Sequence, residues 1–349
     1  MSTPTEPGQG SQAVADRAGP GHEGSRAAAD RTEPGHEVSL PCRDRAEPGL
    51  SDVIGERRHL INLAYRLLGS LAEAEDAVQE TYARWYAMSP QRQEAIESPG
   101  AWLTTVATRV CLDLLGSARV RRERYVGEWI PEPLPDRTEW VGGPSGGGAE
   151  QADPADRVTL DESVNMAFLV VLEAMTPAER VAFILHDVFR YPFAEIAEIV
   201  GRTPAACRQL ATSARRRVRA AQEPADTAGQ AGLVRRFKEA WEARDIEALV
   251  GLLDPGATMI ADGGGRVGAA LHPVEGGERI AAYLIHIATK APGLTLLERT
   301  VNGRPGLVAQ HRGVTATVAA FGLTGGRVTR IWAIRNPEKL RQWTADRRD

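Results

Sequence analysis

The sequence has only three cysteines, and it lacks both a long apolar run and an excess of basic residues. The cysteines, Cys42, Cys111 and Cys207, lie far apart without a C-x-x-C pair, which excludes a zinc finger and a disulfide framework. No uncharged apolar stretch reaches the roughly 18 residues of a membrane span. Residues 1–10 also lack the basic and apolar parts of a secretory signal. These absences predict a cytoplasmic protein without a membrane segment, metal or cofactor.

The charge of the chain is spread unevenly. The 349 residues carry 42 Lys and Arg against 46 Asp and Glu, a net charge of −4, so the bulk composition does not indicate a nucleic-acid-binding protein. Residues 1–50 hold eight acids against five arginines, with six prolines, seven glycines and five large apolar side chains. So few apolar groups do not offset the entropy of ordering. Residues 1–51 are therefore predicted to be a disordered, low-complexity tail.

Helical periodicity begins at residue 52 and predicts an all-α domain over 52–126. Within it, Gly69 is placed to end one helix, and Ser70 and Glu73 form a capping box for the next. Five prolines and a run of three glycines then predict a flexible linker over 127–158.

Two further domains follow the linker. Residues 159–222 have helical periodicity and a second capping box at Thr176 and Glu179. Residues 230–349 open with an amphipathic helix and continue as strand-like runs separated by glycine-rich turns, which predicts an α+β domain.

The strongest local signal is PFAEIAEIVGRTPAACRQL at 192–210. A short helix ends at Gly201, Thr203 caps the next helix and Pro204 takes its first position, which is typical of a helix-turn-helix. The residues expected to pack inward are Ile196, Val200, Cys207 and Leu210. Those expected to face DNA are Arg202, Ala205, Arg208, Gln209, Arg215, Arg216 and Arg217.

Arginine pairs with guanine and glutamine with adenine in the major groove. Residues 202–219 contain six arginines and no acid, which favours DNA over the alternative of a solvated helix end. A second basic cluster consists of Arg119, Arg121, Arg122 and Arg124. By itself such a run indicates only a charged surface. Two clusters in domains joined by a linker predict a protein that holds two DNA segments.

These residues resemble a known family. Residues 63–124, which include AYRLLG, AEDAVQE and WLTTVATR, resemble sigma-70 region 2, and residues 169–219 resemble sigma-70 region 4. No region 3 separates them. The arrangement is similar to that of extracytoplasmic-function sigma factors of bacterial RNA polymerase.

Three short motifs resemble those of one subgroup, the sigma-J-like factors. They are WIPEP at 129–133, DGGGR at 262–266 and NPEKL at 336–340. Such factors carry a SnoaL-like, NTF2-type cone at the C-terminus. The implied fold class is therefore multidomain, with two all-α sigma domains followed by an α+β cone.

The resemblance implies roles for individual residues. The positions that match the polymerase-binding helix, which docks on the clamp of the core enzyme, are Asp76, Gln79, Glu80 and, beneath them, Trp85. Residues 113–125 are implied to meet the −10 promoter element, where bases are flipped and strands separate. Here Gly116 and Ser117 interrupt the family pattern. The helix that begins at Pro204 is implied to read the −35 element.

The C-terminal domain is implied to contact the sigma domains and the linker, so that no separate anti-sigma protein is required. The implied contact residues are Trp129, Glu132, Asp262, Gly263, Gly264, Gly265, Arg266, Asn336, Lys339 and Leu340. Arg266 and Lys339 are expected to pair with acids such as Glu132.

Catalysis is the remaining question for the C-terminal domain. Residues 263–268 formally match G-x-G-x-x-G, but no βαβ unit surrounds them, which excludes dinucleotide binding. Asp262, His272, His286 and His311 are the candidates for acid/base work, although a lone histidine in a strand is more often a packed or surface residue. We predict a sigma factor and not an enzyme. The alternatives are a polymerase-independent helix-turn-helix regulator and a DNA-tethered SnoaL-type enzyme.

Overall fold

The computed structural model describes residues 55–122, 125–135, 164–221 and 227–344. The predicted disordered tail lies outside these residues, as does the linker from 136 onward. Helices α1 to α4 form the first helical domain and span Arg57–Leu68, Leu71–Tyr86, Pro90–Glu94 and Pro99–Arg122. The predicted end of α1 is confirmed, because Gly69 adopts the left-handed conformation with φ of 69°. The Ser70 hydroxyl accepts from the Glu73 amide at 3.4 Å, which is the N-cap hydrogen bond of the capping box predicted for the start of α2.

The second helical domain contains α5 (Met166–Glu173), α6 (Pro177–Phe183), a π-helical turn (Ile184–Val188), α7 (Phe193–Val200) and α8 (Pro204–Ala221). The capping box predicted at Thr176 and Glu179 is confirmed, with both reciprocal bonds formed at the start of α6.

One apolar core joins the two helical domains. Leu63 and Leu67 of α1 and Leu103 of α4 belong to the same buried cluster as Ile184 and Ile196 of the second domain. Each buried aliphatic side chain of this size contributes about 1.5–3 kcal/mol. Because residues of both domains belong to this one cluster, the two domains pack directly on each other in this structure.

The C-terminal domain begins with helices α9 (Thr227–Ala243) and α10 (Ile246–Leu252), and α11 (Gly277–Lys290) follows the first two strands. Strands β1 to β6 span Leu253–Asp262, Val274–Glu275, Leu294–Val301, Arg304–His311, Val314–Thr324 and Arg327–Ile334. Their order in the sheet is β2-β1-β6-β5-β4-β3. Strands β1 and β6 are parallel, and the other neighbours are antiparallel.

The sheet is covered on both faces. Met259 and Ile331 lie in the cluster formed with α9, α10 and α11. Trp332, the next residue of β6, packs on the opposite face in a cluster that includes Ile130 of the linker and Met166 of α5. Because successive side chains of a strand point to opposite faces, one face contains the domain's own core and the other contacts the rest of the chain. Within the described ranges, no helix is long and apolar enough to span a bilayer.

Candidate functional site

The acidic face of α2 is open to solvent. Asp76, Gln79 and Glu80 are all exposed. Trp85 lies beneath them, 5% exposed, with its ring centre 5.2 Å from that of Trp102. Three polar side chains are thus accessible to a partner, while Trp85 supports the helix from inside and offers almost no surface.

The second basic cluster lies where α4 ends. The helix continues without a break through Gly116, so the residues that interrupt the family pattern do not interrupt the backbone. Arg119, Arg121 and Arg122 belong to the last turns of α4, and Arg124 lies outside the described residues.

The predicted helix-turn-helix is confirmed. Helix α7 ends at Gly201 with φ of 68°, and the Thr203 hydroxyl accepts from the Ala206 amide at 3.2 Å, ahead of α8. Ile196 and Cys207 are fully buried, and Val200 and Leu210 are partly buried against the same core.

Most of the residues predicted to face DNA are exposed, namely Arg202, Ala205, Arg208, Gln209, Arg216 and Arg217. Arg215 differs from them. Its Nε lies 2.6 Å from Asp187 Oδ1, and its Nη2 lies 3.2 Å from His186 Nδ1. The Arg215 side chain thus forms an ion pair with Asp187 of the π-helical turn.

A buried arginine that the motifs did not indicate links the helical domains. Arg180 is 2% exposed, and its Nη1 donates to the Leu67 carbonyl at 2.7 Å and to Glu173 Oε1 at 2.8 Å. Burial lowers the pKa of the Arg180 guanidinium to about 10, so the group stays charged at neutral pH. Its position three residues before Phe183, on the apolar side of α6, is the sequence signal that could have identified it.

Asp262 is the centre of the contact between the C-terminal domain and the rest of the chain. It is fully buried at the end of β1. Its Oδ1 accepts from the Tyr125 hydroxyl at 2.6 Å and the Gly264 amide at 3.0 Å. Its Oδ2 accepts from the Ile130 amide at 3.1 Å and from Lys339 Nζ at 2.7 Å. One carboxylate thus binds Tyr125, the linker at Ile130 and the NPEKL motif at Lys339.

Lys339 and Asn336 complete this contact. Lys339 Nζ donates to the Ile130 carbonyl and lies 4.0 Å from the centre of the Trp129 ring, a cation–π geometry. Asn336 Nδ2 donates to the Tyr125 hydroxyl oxygen at 2.9 Å. Burial, together with the hydrogen bond to Asp262, raises the pKa of the Tyr125 phenol well above its usual value. The hydroxyl therefore stays protonated and donates to the carboxylate.

The glycines of DGGGR permit a close approach. A Cβ at Gly264, where φ is 62°, would collide with the Asn336 side chain, and a Cβ at Gly265 would lie 3.0 Å from Val126 Cβ. A Cβ at Gly263 would collide with the backbone of its own loop. Glycine is needed at Gly264 because its φ is positive and because the Asn336 side chain lies where a Cβ would be.

The expected pairing of Arg266 with Glu132 is wrong. Arg266 Nη2 lies 2.6 Å from Glu338 Oε1 at an exposed site. Glu132 Oε2 instead accepts from the Leu71 amide at 2.7 Å and the Ser70 hydroxyl at 3.4 Å, which places it at the positive end of α2. Burial raises the pKa of the Glu132 carboxyl in spite of these hydrogen bonds.

Sequence reasoning missed Asn302, which is 1% exposed. Its Oδ1 accepts from the Leu134 amide at 3.0 Å, and its Nδ2 donates to the Tyr65 hydroxyl at 3.0 Å and the Val164 carbonyl at 2.9 Å. It therefore joins the first helical domain, the linker, the start of the second helical domain and the sheet. The only sequence signal is an Asn-Gly pair, which indicates a turn.

Residues 127–135, the first part of the predicted flexible linker, form an ordered extended segment, here called the strap. Ile130 and Leu134 are each 1% exposed, and Trp343 Nε1 donates to the Pro133 carbonyl at 2.8 Å. Leu340, 3% exposed, lies in the same cluster as Ile130. The difference from the prediction arises because proline removes backbone donors without preventing burial of an extended segment between two domains.

The candidate acid/base residues do not converge. His272 and His286 are exposed, and His311 lines a cavity on the face of the sheet opposite Asp262. The part of the chain that the structure describes has no group of three or more His, Cys, Asp or Glu able to hold a metal ion.

Comparisons with known proteins identify the two helical domains. The family described as Sigma-70 region 2 matches residues 54–121, and Sigma-70, region 4 matches residues 165–218. The ECF RNA polymerase sigma factor SigJ of Mycobacterium tuberculosis is 38% identical over 299 residues, which cover 81% of this chain and 90% of SigJ. The chain belongs to the ECF RNA polymerase sigma factors.

One further relative and one solved structure support the assignment. The probable ECF RNA polymerase sigma factor SigI of M. tuberculosis is 35% identical over 289 residues, which cover 81% of this chain and 92% of SigI. The crystal structure of M. tuberculosis SigJ matches this sigma factor with a TM-score of 0.63 and 34% identity, over 83% of this chain and 97% of that one.

The predicted family is therefore confirmed, as is the fold class of two helical sigma domains followed by an α+β domain. Sigma factors of this family are transcription initiation factors and not enzymes, and they bind RNA polymerase to direct promoter-specific transcription.

Proposed function

We propose that this sigma factor binds core polymerase through the exposed face of α2 and promoter DNA through α8 and the end of α4, and that its C-terminal domain restrains it. The observation that carries the restraint is the Tyr125 contact. Tyr125 ends the segment implied to meet the −10 element, and Asp262 and Asn336 of the C-terminal domain hold it. We also propose that the protein acts in the cytoplasm, where polymerase and promoter meet.

The packing of the helical domains supports this proposal. Elements about 10 and 35 base pairs upstream of a start site are roughly 25 base pairs apart, or about 85 Å at 3.4 Å per base pair. Here α4 and α7 touch, since Arg109 Nη2 donates to the Glu198 carbonyl at 3.1 Å. From Arg109, α4 extends only about 20 Å further to Arg122. The packed form is too short to reach both elements, so we infer that it is the restrained form.

The C-terminal domain stabilises this form because it contacts both helical domains at once. Asn302 bonds to Tyr65 of the first domain and to Val164 before the second, while Asp262 holds the strap at Ile130. In our proposal the C-terminal domain restrains the sigma domains, as a separate anti-sigma protein would, so that no such protein is required.

Transcription with purified core polymerase tests the restraint. Asp262→Asn should transcribe more than the wild type from the same promoter, because the strap is released. The matched control is Asp254→Asn, which lies on the same strand outside the contact. Equal transcription from all three proteins would refute the restraint.

Polymerase capture tests the α2 surface. Asp76→Lys should reduce binding of core polymerase, since it reverses an exposed charge on that face, whereas Glu239→Lys on the exposed side of α9 should leave binding unchanged. Promoters would come from mapping transcripts after overexpression. DNA binding that is unaffected by polymerase, together with no capture of polymerase, would favour a polymerase-independent regulator.

A further inference from the structure

A cavity lies between the sheet and the helices of the C-terminal domain. Its volume is about 380 Å³, which falls within the range of small-molecule sites. Its lining is mainly apolar and includes Phe237, Met259, Leu284 and Phe321. Such a lining favours the hydrocarbon part of a ligand, because burial removes apolar surface from water.

The cavity is lined by two cations, Lys290 and Arg335, by a histidine, His311, and, among the described residues, by no acidic side chain. His311 Nδ1 is buried and has no hydrogen-bond partner within the described part of the chain. A buried polar atom in a cavity is normally satisfied by a ligand or water.

We propose that the cavity binds an amphipathic carboxylic acid. Its aliphatic body lies along the apolar lining, and its carboxylate is held by Arg335, His311 and Lys290. Guanidinium and ammonium groups favour a carboxylate over a neutral head group, because charge-assisted hydrogen bonds are the stronger ones.

The cavity and the interdomain contact lie on opposite faces of the sheet. Ala261 lines the cavity, and the next residue, Asp262, faces the strap. A ligand therefore occupies the site without displacing the strap.

Arg335 connects the two faces. Its guanidinium donates to the Gly268 carbonyl at the end of the glycine-rich loop, and its backbone amide donates to the Asp262 carbonyl at 2.7 Å. A carboxylate that attracts the guanidinium competes with Gly268 and loosens residues 263–268. This second step rests on the proposed restraint, since that loop abuts Val126 and Asn336.

Calorimetric titration of the full chain with decanoate tests the site. Decanoate should bind, and decan-1-ol and decyltrimethylammonium should bind about tenfold more weakly or not at all. Arg335→Gln and Lys290→Gln should each weaken decanoate binding by about tenfold, the loss expected for a hydrogen bond to a charged group. The matched control is Arg330→Gln, which removes an exposed charge outside the cavity, on β6, the strand that ends one residue before Arg335. Ala316→Phe, which fills the cavity, should abolish binding.

The outcomes separate this inference from the proposed restraint, because binding is measured without polymerase. No decanoate binding, or equal binding of decan-1-ol, would overturn the site. Hydrogen exchange of peptides covering 263–268 should quicken with decanoate in the wild type and not in Arg335→Gln. Unchanged exchange in a protein that binds decanoate would overturn the coupling through Arg335.

Discussion

Asp262→Asn should weaken the interdomain contact strongly. The asparagine keeps one acceptor oxygen for Tyr125 and Gly264, but its amide group faces the donors on Ile130 and Lys339. The side chain of Lys339 is only 9% exposed and that of Asp262 is fully buried, so the substitution leaves a buried ammonium group without its carboxylate. Breaking a buried ion pair in this way costs about 3–5 kcal/mol.

A double-mutant cycle isolates the pair. Lys339→Met should also destabilise the protein, because it leaves the Asp262 carboxylate buried without a cation. The double variant Asp262→Asn, Lys339→Met should lose at least about 2 kcal/mol less than the sum of the single losses, since neither charge remains. Asp254→Asn should change stability by only about 0.5 kcal/mol, as for a partly exposed site.

Urea unfolding followed by tryptophan fluorescence measures these losses, since Trp129 and Trp343 both lie at the contact. Additive losses in the cycle, with a coupling energy under about 0.5 kcal/mol, would show that the two residues act independently. That result would refute the assignment of Asp262 and Lys339 as one buried pair.

Three other predictions follow from particular contacts. Gly264→Ala should destabilise the interdomain contact by more than about 1 kcal/mol, because φ is positive there and the Asn336 side chain occupies the place of the added methyl group. The control Gly268→Ala should not destabilise it, because nothing lies within 4 Å of the added methyl group. Urea unfolding compares the two variants. Arg216→Gln should lower the slope of log K against log salt for DNA binding by about 1, whereas Arg215→Gln, whose partner is internal, should mainly lower the melting temperature. Burial raises the pKa of the Glu132 carboxyl. At a pH above the usual carboxyl pKa, the folded protein therefore holds this proton more tightly than the unfolded chain does, and the free energy of unfolding falls as the pH rises toward and past the folded-state pKa. Glu132→Gln should show a smaller fall in urea unfolding between about pH 5 and about pH 7, and an equal fall would contradict the assignment.

Local features of the fold could be predicted from the sequence. The end of α1 at Gly69, the capping box at Thr176 and the turn before Pro204 all appear where the residue pattern indicated them. Each depends on contacts within about four residues along the chain. The face at Asp76 was implied by the family resemblance, and its residues are exposed in the structure.

The partners of individual side chains could not be predicted in this way. The family resemblance placed Asp262 and Lys339 among the interdomain contact residues, but it gave Arg266 and Lys339 acids such as Glu132 as partners. The structure pairs Lys339 with Asp262 and Arg266 with Glu338. The resemblance overlooked Arg180 because no motif marks a buried cation.

The sequence alone determined two helical domains, a helix-turn-helix and an α+β domain, because periodicity and caps are encoded over short distances, and its motifs resembled those of sigma factors. Only the tertiary structure decided that the helical domains share one core and that the strap lies buried between domains. The Tyr125 to Asp262 hydrogen bond joins residues 137 apart in the chain. Such a contact depends on how whole domains pack, since the partners come together only after their separate elements have formed.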